Sequence, residues 1–219
     1  MIICMSDLIC VTNRTLCKEN FLDRIEKIAA QHPKAVLLRE KDLSPSEYAR
    51  LARKVLAICA RHHTLCILHN FIEIAEQEKA FAIHLPLPIL RRMTKGQKHA
   101  FSVIGASCHS PEEAAEAEAL GCTYITAGHI FATDCKKDLP GRGLDFLSKV
   151  CGSCRIPVYA IGGIHKDNIS AVRSAGAKGA CVMSGIMECK DVSAYFKILS
   201  NNLTQDFAPA AKSVKMRKG

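Results

Sequence analysis

Hydrophobic residues along this chain gather in short unbroken runs rather than in alternation with polar ones. Eight runs stand out: Leu8–Thr12, Ala35–Arg39, Leu65–His69, Ala82–Leu85, Ser102–Ala106, Tyr124–Ala127, Pro157–Ile161 and Gly179–Met183. Runs that are apolar on both sides suit parallel strands buried on both faces, whereas half-exposed antiparallel strands alternate. The stretches between them carry helix punctuation. In the clearest, Ser110 caps the first turn, Pro111 takes the first helical position and Glu113 completes a capping box. Glu112 and Glu113 also suit the positive end of the helix dipole, and Gly121 supplies a left-handed stop just before the strand at Tyr124. The same grammar returns in a helix over Asn168–Ala175, a stop at Gly176 and a strand from Gly179.

Eight strand–helix units predict an α/β fold of the (β/α)8 TIM-barrel type, with one domain over residues 1–204. An open doubly wound sheet would place a glycine-rich turn after the first strand, but Val11–Thr12–Asn13–Arg14 contains no glycine. Residues 205–219 lose the hydrophobic periodicity and carry Lys212, Lys215, Arg217 and Lys218. They are expected to form a basic, flexible tail.

Composition narrows the function. The net charge of +9 suits nucleic acid or a small anionic substrate. With 5% aromatic residues and no Trp there is no platform for stacking bases, so a small phosphorylated molecule is expected and nucleic acid is not. No apolar run has the roughly 20 residues a membrane span needs. The opening residues do not read as an export signal, so a cytoplasmic location with reduced thiols is expected. Among 12 cysteines, Cys151 and Cys154 form a single CxxC without the second pair of a zinc ribbon. Neither a metal nor a cofactor is expected.

A barrel of this kind places its chemistry on the loops after the strands, with a phosphate commonly held after the seventh and eighth. Gly162 and Gly163 follow the seventh strand, and Met183, Ser184 and Gly185 follow the eighth. Glycine lets backbone N–H groups approach an anion, so these five are the candidate phosphate site. Arg39 and Lys41 after the second strand, Asn70 after the third and Ser107 at the fifth are candidate substrate contacts. So are Thr133 and Lys136, on the long loop after the sixth strand. His129 opens that loop, and an imidazole that titrates near neutrality can act as acid and base. His109 reads as a rim histidine.

The order Leu38–Arg39–Glu40–Lys41, Ser107–Cys108–His109–Ser110, Ala160–Ile161–Gly162–Gly163–Ile164 and Met183–Ser184–Gly185–Ile186 resembles the thiamine phosphate synthase/TenI superfamily over residues 8–200. The resemblance implies a barrel enzyme acting on a phosphorylated thiazole. Within it, residues 128–143, GHIFATDCKKDLPGRG, look like the TenI-type thiazole tautomerase branch. That likeness implies that His129 isomerises an exocyclic-alkene thiazole carboxylate phosphate to its aromatic form. Similar synthases place an Asn-Asp pair after the third strand and a further Asp after the fourth, for Mg2+; here Asn70–Phe71 and Leu85–Pro86–Leu87–Pro88 stand. The glutamine usual before the Arg-Glu-Lys motif is Leu37. The expectation is therefore an isomerase. The alternatives are thiamine phosphate synthase, coupling hydroxymethylpyrimidine pyrophosphate to thiazole phosphate, and a non-catalytic regulator that binds thiazole phosphate. A homo-oligomer is compatible with each.

Overall fold

Continuous apolar strands have two faces to bury, and a closed barrel with an outer ring of helices covers both. The computed structural model, which describes residues 6–133 and 139–204, shows this arrangement. Its strands are β1 (Ser6–Val11), β2 (Pro33–Leu38), β3 (Cys66–His69), β4 (Ala82–Pro86), β5 (Val103–Cys108), β6 (Tyr124–Gly128), β7 (Val158–Ile161) and β8 (Gly179–Val182). They pair in sequence order, all parallel, and β8 closes on β1 through Leu8 opposite Ala180. Each observed strand overlaps its predicted run, with ends displaced by no more than two residues.

The helices are α1 (Phe21–Ala29), α2 (Pro45–Arg61), α3 (Ile72–Gln77), α4 (Leu87–Leu90), α5 (Lys95–His99), α6 (Pro111–Ala119), α7 (Gly143–Gly152), α8 (Ile169–Ser174), α9 (Ser184–Glu188) and α10 (Val192–Thr204). Alternate strand residues divide the core. Ile9, Val11, Leu37, Ile67, Tyr124 and Tyr159 fill the barrel interior. Their neighbours, including Leu8, Val36, Leu68 and Ile125, pack outward against the helices.

The local rules hold with one exception. Ser110 Oγ accepts from Glu113 N at the start of α6, as expected. The Glu113 carboxylate, however, takes the His109 backbone N–H at 2.5 Å, so the capping box is not reciprocal. The free N–H at the end of β5 competes successfully for it. Gly121 and Gly176 stand at φ of +93° and +97°, the left-handed stops their positions called for.

Among the described residues, no helix is long and apolar enough to cross a membrane. The ten described cysteines are free thiols. Burial pushes Cys151 up to about 11 and raises Cys154 as well, which suits packing better than thiolate chemistry. Lys136 and the tail at 205–219 lie outside the described residues.

Candidate active site

The inward-facing positions that fill the barrel turn polar at its C-terminal end. There they line a cavity of about 990 Å³. Arg39 and Lys41 enter from the end of β2, His69 from β3, His84 from β4 and Ser107 from β5. The two-residue period explains the first pair: residues 39 and 41 share a direction, and Glu40 between them turns away. Glu40 is buried and fully engaged. Its carboxylate accepts from Thr12 Oγ1 at 2.6 Å and from the Arg14 backbone N–H at 3.0 and 3.1 Å. The motif therefore sends two cations into the cavity, while its acid ties the end of β2 to the end of β1.

Two histidines form the floor beside these cations. The His69 and His84 rings lie nearly parallel, with centroids 6.1 Å apart. His84 Nδ1 lies 2.9 Å from Tyr124 Oη, and its Nε2 lies 2.9 Å from Ser107 Oγ. Burial, reinforced by the charges of Arg39 and Lys41, lowers His69 to about 4. Burial, reinforced by His69, lowers His84 to about 3. Both imidazoles are neutral at physiological pH, because a charged ring there would lose its hydration beside other cations. Tyr48 of α2 fixes this wall from behind. Its hydroxyl donates to Leu38 O and accepts from the His69 backbone N–H, both at 2.8 Å.

The opposite wall carries the glycine loops. Gly162 and Gly163 have φ of +101° and +65°. A Cβ on Gly162 would sit 2.3 Å from His129 Cβ, and one on Gly163 would sit 2.3 Å from Ala132 O. The pair thus also makes room for the loop after β6, which crosses close above it. That loop is anchored at its base by Ile130 N to Ile161 O and Phe131 N to Gly162 O. Its returning limb is held by Arg142 N to His129 O and Gly143 N to Ile130 O. His129 lines the cavity and is largely buried, with Nε2 3.2 Å from Leu139 O. With Nε2 donating to that carbonyl, Nδ1 is the bare nitrogen, and it has no hydrogen-bond partner among the described residues.

Of the residues singled out from sequence, Arg39, Lys41, Ser107, His129, Thr133, Gly162, Gly163, Met183, Ser184 and Gly185 all line this one cavity. Asn70 does not. It stands at φ +73° with its N–H bonded to His84 O, and His69 takes the cavity position. Sequence reasoning missed His84, Tyr195 and Asn168, which also line it. For His84 the one sequence sign was its inward parity with Ala82, too little by itself to mark a site in a strand that reads as apolar. The described lining residues include no Asp or Glu. Among all described residues, no group of three His, Cys, Asp or Glu could hold a metal ion.

Comparison with known proteins places this geometry in context. The family model described as thiamine monophosphate synthase matches residues 8–186. A thiamine-phosphate synthase of Fusobacterium nucleatum is 34% identical over 187 residues, covering 83% of this chain and 89% of its own length. One from Clostridium acetobutylicum is 33% identical over 205 residues, covering 89% and 95%. A solved structure, thiamine phosphate pyrophosphorylase from Pyrococcus furiosus, superposes with a TM-score of 0.78 at 30% identity over 90% of this chain and 94% of its own. These findings correct the isomerase expectation. Relatives aligned over most of the chain carry the synthase name, whereas the tautomerase reading rested on the loop at 128–143, of which 134–138 lie outside the described residues, on the carboxylates missing after the third and fourth strands, and on Leu37.

Proposed function

Because this chain belongs to the thiamine monophosphate synthase family, we propose that it joins hydroxymethylpyrimidine pyrophosphate to thiazole phosphate to make thiamine phosphate. One observation carries the reading: a single cavity has two groups of anion-binding elements on different strands. Gly162–Gly163 and Ser184–Gly185 offer backbone donors after β7 and β8, while Arg39 and Lys41 offer cations after β2. Two phosphorylated substrates need two such poles.

In this reading the glycine loops and the Ser184 hydroxyl hold the thiazole phosphate. Met183 and Thr133 shape that end of the cavity. Arg39 and Lys41 face the pyrophosphate. The thiazole ring nitrogen forms a C–N bond to the pyrimidine's methylene carbon as the C–O bond to pyrophosphate breaks, and the leaving group departs with the electron pair. The cations lower the cost of that departing charge, an effect enlarged where the cavity walls lower the local dielectric.

Mg2+ would serve the same end in similar synthases, but the residues described here do not fit it. No carboxylate among them lines the cavity, and Asp134 and Asp138 lie outside the described residues. Among the described residues, the charge of the leaving group is therefore assigned to Arg39 and Lys41.

The test is direct. Purified protein given both substrates should yield thiamine phosphate and inorganic pyrophosphate in equal amounts. Arg39→Ala should lower kcat/KM by about 10- to 100-fold, as expected when a hydrogen bond to a charged group is lost. Absence of product from the wild-type protein would overturn the proposal.

A further inference from the structure

The hydroxyl of Tyr124 lies in the closed interior of the barrel, and Nδ1 of His84 is its hydrogen-bond partner among the described residues, at 2.9 Å. Gly105 makes this reach possible: a Cβ at 105 would sit 2.2 Å from Tyr124 Cζ, so the ring occupies the space a side chain would need. Tyr159 meets the same ring edge-on at 5.8 Å and braces it. On its other side, Nε2 of His84 is 2.9 Å from Ser107 Oγ, and Ser107 faces the cavity.

A neutral imidazole has one N–H and one lone pair, so its two contacts cannot both run the same way. If Nδ1 carried the proton, the buried phenolic O–H of Tyr124 would be left without an acceptor among the described residues. That is the costlier arrangement, because a buried donor without a partner loses its hydration uncompensated. With the proton on Nε2, every hydrogen is placed: Tyr124 O–H donates to Nδ1, Nε2–H donates to Ser107 Oγ, and the Ser107 hydrogen is left to point into the cavity.

We propose that Tyr124 and His84 form a directional relay that fixes Ser107 as a hydrogen-bond donor to an oxyanion of the bound substrate, His84 being a positioning residue rather than a catalytic one. Burial supports the arrangement by keeping His84 neutral and Tyr124 protonated. The site depends on the reading above only for the identity of that oxyanion, which the pyrophosphate group would supply.

The experiment has two arms. In the wild-type protein, long-range ¹⁵N–¹H NMR should show His84 protonated on Nε2 and bare on Nδ1. Calorimetric titration with inorganic pyrophosphate should then show about tenfold weaker binding in Ser107→Ala. Binding in Tyr124→Phe should weaken in the same direction, since this variant keeps the ring over Gly105 and removes only the oxygen that selects the tautomer. Its His84 spectrum should show both tautomers. A wild-type Nδ1–H tautomer would overturn the relay. So would unchanged binding in Ser107→Ala, or in Tyr124→Phe when Ser107→Ala is impaired. If these results hold but no thiamine phosphate is formed, the functional reading fails and the relay stands.

Discussion

His69 and His84 are the residues through which this fold should feel pH. Each has an ordinary value of 6.5 and is lowered by burial, to about 4 and about 3. The folded state binds the neutral ring, so the unfolded chain takes up protons first as pH falls. Stability from these groups is intact above 6.5 and declines below it, the loss deepening down to the folded values. Carboxylates such as Glu26, lowered by hydrogen bonds from His62 and Arg61, weaken the fold only below their ordinary 4.5. The window between 6.5 and 4.5 therefore belongs to the histidines. Unfolding free energies from urea titrations, followed from neutral pH down to 4.5, should fall by about 2 to 5 kcal/mol. A flat profile would show that these rings are hydrated and not sealed in the floor.

At the scale of elements, α2 and the strand ends explain why the wall of the cavity is rigid. Ser44, Pro45 and Glu47 start α2 with a full capping box, and the next residue, Tyr48, turns inward to bridge β2 and β3. Tyr48→Phe keeps the ring but strands the Leu38 carbonyl and the His69 N–H. It should cost about 1 to 3 kcal/mol in urea unfolding and raise KM through the displaced His69 wall. An unchanged midpoint would mean that water satisfies both groups. The strands themselves were legible from sequence because a run apolar on both faces has few other places to go, and the stops at Gly121 and Gly176 need a conformation that glycine adopts freely. The glycine loops and Arg39 were legible because a barrel's strand ends are its functional end. His84 was not, since one polar residue within Ala82–Leu85 does not alter the strand's apolar character. Its meaning appears only when Tyr124 and Ser107 arrive from β6 and β5. The choice between isomerase and synthase was not legible either. It leaned on the carboxylates missing after the third and fourth strands and on residues 128–143, whose described ends seat a loop over Gly162 and Gly163 whatever chemistry lies beneath.

For the whole molecule, charge and cavity agree. The chain carries a formal +9, and the described walls of its cavity hold Arg39, Lys41 and several histidines but no carboxylate. A pocket of this kind attracts anions and repels a free divalent cation, so it should bind pyrophosphate through its own side chains. A ligand at about 100 times its dissociation constant adds roughly 2.7 kcal/mol to stability, or about 5 to 10 °C in Tm for a protein of this size. Inorganic pyrophosphate should therefore raise Tm by that order in the presence of EDTA, and added salt should erode the gain where the cations remain within reach of solvent. Mg2+ should diminish the shift, because it neutralises the ligand that the cations are arranged to meet. If the shift appeared only with Mg2+ present, the ion would have to be seated by groups outside the described walls. The assignment of the leaving group's charge to Arg39 and Lys41 would then be wrong, even if the protein proved to make thiamine phosphate.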